Sequence, residues 1–134
     1  MIYLDSNVFI YANLQTGREG DWCRDLLRRV AQGREEGLTS ALTLDEVVYQ
    51  IREERGLEAS IEAGRALLEM AHLLVAPADT EVLWRSLELG GQAKLYPRDA
   101  IHAATALLRN AEDFYSEDTD FDAVEGLRRR WMRS

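Results

Sequence analysis

Short apolar segments that alternate with helical patterns constrain the fold of this chain more than any other feature. Apolar runs predict strands at residues 2–4, 73–76 and 114–115, and residues 37–40 are predicted to form a turn and a short strand. Helical patterns cover residues 8–13, 21–32, 43–55, 58–72, 79–90 and 98–110. Strands that alternate with helices form a parallel sheet with helices on both faces. We therefore predict an α/β fold, and the segment from Ala123 onward is compatible with either a strand or a helix.

The composition is that of one globular domain spanning residues 1–134. The chain has 134 residues, of which 46% are hydrophobic and 30% charged. Its single cysteine, Cys23, excludes a disulfide framework and a cysteine-rich zinc site. No stretch approaches the roughly 18–20 apolar residues of a membrane span, and the N-terminus lacks the basic lead of a signal peptide. We expect a cytoplasmic protein with no membrane partner.

The charges are unevenly distributed along the chain. A formal net charge of −8 argues against a general nucleic-acid binder, because phosphate contacts need a basic surface. Arginines nonetheless crowd the segments 24–29 and 128–133. The C-terminal run is either a surface that contacts nucleic acid or a solvated charge run, and the composition leaves both interpretations open.

Four acidic residues lie where a parallel α/β fold concentrates ligand-binding groups. Asp5 directly follows the first predicted strand, and Asp118 follows the last. Open parallel sheets bind ligands beyond the carboxyl ends of their strands. Asp99 opens a helix, and Glu46 falls roughly opposite the apolar stripe of its own helix. We expect the four carboxylates to converge at one edge of the sheet.

Each of these carboxylates also has a purely local explanation. Asp5 could cap the helix that follows it, and Asp99 could interact favourably with the dipole of its own helix. Glu46 forms a capping-box pattern with Thr43. The acidic segment 118–122 could be a solvated turn. The joint arrangement of the four residues favours a common site over these separate explanations.

Carboxylates gathered at one edge would repel one another and raise their pKa values, and a divalent cation removes that penalty. Oxygen ligands without cysteine, and with little histidine, select Mg²⁺ or Mn²⁺ over Zn²⁺. We interpret His102 as a packed or capping histidine in preference to a ligand. Backbone N–H groups near Ser6 and Asn7, at a helix N-terminus, could bind a phosphate oxygen. These groups suit metal-assisted displacement at phosphorus.

Four stretches of the chain form an ordered set of motifs. They are IYLDSNVFIY, SALTLDEVVY, YPRDAIHAATAL and YSEDTDFDAV. The first is a strand that ends in an acidic residue, a small polar residue and Asn, and the second carries a glutamate early in a helix. The third has an aspartate that opens an Ala-rich helix, and the fourth joins a hydroxyl residue to an aspartate and a following Asp-Phe. Together they resemble the PIN domain family, within it the VapC-type toxins of toxin–antitoxin operons, over essentially the whole chain.

The resemblance implies a three-layer α/β/α fold with a short central parallel sheet, and a Mg²⁺- or Mn²⁺-dependent endoribonuclease. In such an enzyme water attacks the phosphorus of RNA and no covalent enzyme intermediate forms. The implied catalytic and metal-binding residues are Asp5, Glu46, Asp99 and Asp118. Of these, Asp5 and Asp99 are the direct ligands, and the other two bind through water or hold a second metal. The implied supporting residues are Ser6, Asn7, Ser116 and Asp120. The candidate RNA contacts are Arg98, Arg128, Arg129 and Arg130.

The resemblance also implies partners for the chain. Proteins of this kind form homodimers, and a cognate antitoxin holds them inactive by covering a groove near the site. A neighbouring gene for a short partner with a DNA-binding N-terminus would favour a toxin. Its absence would favour the closest alternative, a non-toxin PIN-domain nuclease that processes RNA.

Three other functions account for part of the pattern. A haloacid-dehalogenase-like phosphatase would need a second aspartate where Asn7 stands. A response-regulator receiver domain would need an acidic pair and a late lysine, and the only lysine is the poorly placed Lys94. A catalytically silent PIN-fold interaction module is disfavoured because all four acidic positions are filled.

Overall fold

A computed structural model describes residues 1–133 as a five-stranded sheet with helices on both faces. In chain order the elements are β1 (Ile2–Leu4), α1 (Ser6–Leu14), α2 (Arg18–Ala31), β2 (Gly37–Ser40), α3 (Ala41–Arg55), α4 (Leu57–Glu69), β3 (Leu73–Ala76), α5 (Thr80–Ala93), α6 (Pro97–Leu108), β4 (Asp113–Tyr115) and β5 (Arg129–Arg130). A short 3₁₀ helix, Thr119–Ala123, lies between the last two strands. Within these residues no helix has the length and apolar character that a membrane crossing requires.

All strand pairs in the sheet are parallel, in the order β3-β2-β1-β4-β5. Successive side chains of a strand point to opposite faces, so β1 divides its residues between two cores. Tyr3 packs with Leu38 and Phe114 in the core beneath α5 and α6. Ile2 and Leu4 pack on the other face, in the core formed with α1 to α4. The predicted three-layer α/β/α fold is confirmed.

The predicted strands match the structure closely, and the helix ends differ for identifiable reasons. The first helix begins at Ser6 because Asp5 is its N-cap and accepts the Ser6 N–H. The second begins at Arg18, directly after Gly17, whose φ of 94° places it outside helical geometry. The fourth ends at Glu69, three residues early, and His72 takes a φ of 62°. The C-terminal segment, which the sequence left open, contains the edge strand β5.

The capping box proposed for Glu46 is wrong. The N-cap of α3 is Ser40, whose hydroxyl accepts the N–H of Leu42. Thr43 lies inside the helix, and its hydroxyl shares a hydrogen bond with that of Thr39 at 2.7 Å. Glu46 is therefore free of a capping role, and its side chain is available for contacts outside its own helix.

The fold brings several chain segments to the carboxyl edge of the central strands. The Asp5 N–H donates to the carbonyl oxygen of Tyr115, which joins the ends of β1 and β4. The N-terminal turns of α1, α3 and α6 open near the same edge, as right-handed crossovers between parallel strands require. The four acidic residues noted in the sequence all lie in these segments.

Candidate active site

The carboxylate of Asp5 lies at the end of β1 and is only 5% exposed. Its Oδ1 accepts the backbone N–H of Ser6 at 2.8 Å, and its Oδ2 accepts the hydroxyl of Ser116 at 2.6 Å. Asp5 therefore caps α1 and also binds Ser116 of a distant segment. Its role as a cap does not exclude a role in a common site. One expectation is corrected: the Ser6 N–H is engaged by Asp5 and is not free for a phosphate oxygen.

Ser116 connects three parts of the cluster from a fully buried position. Its hydroxyl donates to Asp5 and accepts from the Asn7 amide at 3.3 Å and from the Asp118 N–H at 3.1 Å. These bonds tie the segment after β4 to the start of α1. Ser116 thus contacts Asp5 and Asp118 directly, and Asn7 is connected to them through Ser116.

A second group of carboxylates lies beside Asp5. Carboxylate oxygens of Asp99, Asp118 and Asp120 all lie within 4.8 Å of one another. Asp99 is in the first turn of α6. Asp118 caps the 3₁₀ helix and accepts the Asp120 N–H at 2.9 Å. The segment 118–122 is therefore a capped turn whose first carboxylates face Asp99.

The crowding of negative charge contributes to a raised pKa of Asp99. Burial, followed by the negative charges of Asp118 and Asp5, raises the pKa of Asp99 from its ordinary 3.8 to about 6. His102 opposes this shift, and Glu46 adds to it. All four predicted acidic residues therefore contribute to one electrostatic environment.

His102 joins Glu46 to this environment. It is only 1% exposed, and its Nε2 donates to Oε1 of Glu46 at 2.6 Å and lies 3.5 Å from Oδ1 of Asp5. Its Nδ1 shares a 2.6 Å hydrogen bond with the Tyr3 hydroxyl. Burial lowers the pKa of His102, but the charges of Asp5, Glu46 and Asp99 outweigh that effect and raise it overall. The histidine is packed, as expected, and it also contacts the acidic residues.

Two clefts flank the carboxylates. One has a volume of about 560 Å³ and is lined by Ser6, Glu46, Tyr49 and Arg98 among others. The other, of about 430 Å³, is lined by residues that include Asn7, Tyr11 and Asp118. An exposed aromatic ring and a guanidinium beside acidic residues give the first cleft groups suited to a base and a phosphate.

The other predicted arginines lie at the edge strand and are paired. Arg128 and Arg130 both bind the carboxylate of Asp113. Arg129 binds Asp122 at 2.8 Å and donates to the carbonyl oxygen of Ser116 at 3.1 Å. Arg129 thereby supports the segment that carries Ser116. Contact of these arginines with RNA stays a prediction.

The donor set fits a hard divalent cation. Its groups are carboxylate oxygens, without thiolate, and both nitrogens of the one nearby imidazole are engaged. The Oδ1 atom of Asn7 is buried and has no hydrogen-bond partner within residues 1–133. Such an orphaned amide oxygen, next to like-charged carboxylates, is the environment that an oxygen-preferring cation would complete.

The sequence did not reveal the role of Tyr3 or Tyr49. Tyr3 was treated only as part of an apolar strand, although a buried tyrosine hydroxyl needs a hydrogen-bond partner. That requirement was a usable signal, but it did not identify the partner, which lies 99 residues away. Tyr49 lies on the helix that bears Glu46 and lines the same cleft, and nothing in the sequence pattern singled it out.

Comparisons with known proteins agree with this architecture. The model of the PIN domain family matches residues 2–127 of the chain. No curated protein matches the chain.

Several solved structures have the same fold at low sequence identity. VapBC2 from Rickettsia felis, bound to a DNA fragment from its promoter, has a TM-score of 0.76 and 19% identity, and the match covers 97% of this chain and 98% of that one. VapC20 of Mycobacterium tuberculosis, a toxin that cleaves the sarcin–ricin loop, has a TM-score of 0.75 and 16% identity, with 92% and 94% covered. FitAcB from Neisseria gonorrhoeae has a TM-score of 0.73 and 20% identity, with 96% of each chain covered.

Replacing Asp99 by Asn is expected to stabilise the metal-free protein by about 1 kcal/mol at about pH 8. Because folding raises the pKa of Asp99, its protonated form favours the folded state below about pH 4, and this contribution is lost as the pH rises through about 6. The amide carries no such penalty at high pH. The free energy that corresponds to the whole pKa shift is larger than about 1 kcal/mol. It is reduced to that value because solvent screens the charge of a half-buried group.

Urea unfolding in the presence of EDTA measures this effect. The gain should be present at about pH 8 and absent at about pH 4. Asp45→Asn, on the exposed side of α3, is the matched control and should change stability at neither pH. A variant that is less stable than the parent at about pH 8 would contradict the crowding of charge at Asp99.

Proposed function

This chain belongs to the PIN domain family, and from that membership we propose that it is a divalent-metal-dependent endoribonuclease and the toxin of a toxin–antitoxin pair. It would hydrolyse phosphodiester bonds of RNA in the cytoplasm. The observation that carries the proposal is the convergence of acidic residues from four separate segments. Oxygens of Asp99 and Asp118 lie within 4.8 Å of each other, and Asp5 and Glu46 both approach His102, at 3.5 and 2.6 Å.

Asp5 and Asp99 are the proposed direct ligands of Mg²⁺ or Mn²⁺. Asp5 is held from two sides by Ser6 and Ser116, so its position is set before an ion arrives. Glu46 and Asp118 complete the site, either by binding the ion through water or by holding a second metal. Bound at this edge, the ion would polarise the phosphate and activate water. The chain's own contribution is to hold the carboxylates in place and to keep them partly out of bulk solvent.

The substrate is proposed to lie in the cleft beside Glu46. Arg98 can bind a phosphate oxygen there, and the ring of Tyr49 offers a face on which a base can stack. An overall charge of −8 makes such local groups necessary, because the protein as a whole repels a polyanion. Water as nucleophile breaks the P–O bond without a covalent enzyme intermediate.

An antitoxin partner is supported by the relatives and by a groove in the structure. The similar solved structures include a toxin–antitoxin complex from Klebsiella pneumoniae and VapBC-1 from Haemophilus influenzae. A groove of about 360 Å³ between α1 and α3 is lined in part by Ile10, Tyr11 and Leu14. It adjoins Asn7, so a helix or tail lying in it would obstruct the acidic residues. An RNA-processing enzyme could use the same site, but these relatives favour the toxin.

A homodimer is supported by the outer face of α5. Leu83, Trp84 and Leu87 are adjacent on this helix and exposed, the last two at 70% each. Large apolar side chains that cluster on a surface mark an interaction site more often than a free one. A second copy of the chain is the proposed occupant.

Asp5→Ala and Asp99→Asn are each expected to reduce cleavage of a single-stranded RNA by at least about 100-fold in Mg²⁺ or Mn²⁺. Each removes a proposed ligand while leaving the two hydrophobic cores intact. The assay is gel analysis of a labelled RNA, with circular dichroism to show that the variants are folded. EDTA should abolish cleavage by the parent protein.

Glu53→Gln is the control for cleavage, because this exposed carboxylate of α3 lies outside both the acidic cluster and the proposed substrate cleft. It should retain the parent rate within about twofold. Full cleavage by folded Asp5→Ala would remove the nuclease from this site.

Trp84→Glu is expected to convert the protein from a dimer to a monomer, because it places a charge in the proposed apolar interface. Light scattering during size-exclusion chromatography gives the mass directly. Leu68→Glu, on the exposed face of α4, is the matched control and should leave the mass unchanged. A parent protein that elutes as a monomer at micromolar concentration would refute the dimer.

A further inference from the structure

We infer that His102 is a positioning residue that holds the Glu46 carboxylate at the metal-binding edge, with the Tyr3 hydroxyl fixing the imidazole ring. The inference rests on the proposed function, because it assigns a role to a residue beside the proposed ligands. It concerns a residue that lies outside the acidic quartet and that does not itself touch the substrate cleft.

Two hydrogen bonds fix the orientation of the His102 ring. One ring nitrogen is 2.6 Å from Oε1 of Glu46, and the other is 2.6 Å from the Tyr3 hydroxyl. The ring is 1% exposed and meets the Tyr3 ring edge-on, with centroids 5.9 Å apart. Tyr3 is itself fully buried and stacks on Phe114 at 4.8 Å. The imidazole is therefore anchored to the centre of the sheet.

Glu46 is the member of the quartet that most needs such a support. It is the only glutamate of the four, and its longer side chain has more rotamers to lose on ordering. It projects from α3, whereas Asp5 directly follows β1 and Asp99 lies in the first turn of α6. The carboxylate is 18% exposed and borders the cleft of about 560 Å³. Without a partner, repulsion from Asp5 would favour rotation of Glu46 toward that cleft.

The same contacts argue against His102 as a metal ligand. An imidazole binds a metal through an unprotonated nitrogen, and both nitrogens of His102 are engaged by Tyr3 and Glu46. The arrangement is that of a residue that orients a metal ligand. His102 binds one oxygen of the Glu46 carboxylate, and the other oxygen is left for the metal site.

Mn²⁺ titration calorimetry on the full chain tests the inference without relying on catalysis. His102→Leu, which keeps the volume and removes both hydrogen bonds, should weaken Mn²⁺ binding by about 10- to 100-fold. His102→Gln should recover part of that loss, because its amide can still donate to Glu46. Tyr3→Phe, which frees the ring but leaves the stack on Phe114, should show a smaller loss in the same direction.

His72→Leu is the matched control. His72 also pairs with a glutamate, through a 2.9 Å contact with Glu36, but it lies before β3 at the opposite edge of the sheet. The substitution should leave Mn²⁺ affinity unchanged. A general effect of losing a histidine–glutamate pair is thereby separated from an effect on the site.

A double-mutant cycle with Glu46→Gln shows whether His102 acts through Glu46. If it does, His102→Leu costs much less Mn²⁺ affinity in the Glu46→Gln background than in the parent, because the carboxylate it positions is already gone. Additive losses in Mn²⁺ affinity would overturn the inference. RNA cleavage by the same variants should fall mainly in kcat, since the cleft that binds RNA is unchanged.

The outcomes separate the inference from the function on which it rests. A parent protein that neither binds Mn²⁺ nor cleaves RNA would overturn both. A parent that binds Mn²⁺, with His102→Leu folded and binding equally well, would overturn only the role of His102. Melting temperatures establish folding, and if the leucine variant does not fold, His102→Gln and Tyr3→Phe decide by the same criterion.

Discussion

Repulsion between carboxylates is the constraint around which this end of the molecule is organised. Asp5 is almost completely buried, and burial together with the negative charges of Asp118 and Asp5 raises the pKa of Asp99. The protein offsets part of this cost with donors, namely the hydroxyl of Ser116 and the imidazole of His102. In the proposed function, the remaining excess of negative charge would give a divalent cation its affinity, and the bound ion would stabilise the folded protein.

The parallel sheet brings these charges together. Its strands all end at the same edge, and crossover helices begin there, so residues far apart in the chain meet without long loops. Asp5 and Ser116 follow adjacent strands and bond across the gap. Arg129, on the next strand, holds the carbonyl oxygen of Ser116 from outside. The edge strand thus supports the segment that carries Ser116.

The positions of carboxylates that follow from local rules could be predicted from the sequence. Contacts that depend on a partner far along the chain could not. The strand-end rule placed Asp5 and Asp118 correctly, because backbone direction alone decides it. The capping box at Thr43 was wrong because Ser40, three residues before the expected start of the helix, is the N-cap. The contact between Tyr3 and His102 could not be predicted, since nothing local selects a partner 99 residues away.

The most direct test of the account is a crystal structure grown with Mn²⁺ and measured at the manganese absorption edge. The account predicts an anomalous peak within coordination distance of carboxylate oxygens of both Asp5 and Asp99, with Glu46 still bound to His102. Anomalous density confined to other surfaces of the protein, under conditions in which RNA is cleaved, would contradict it.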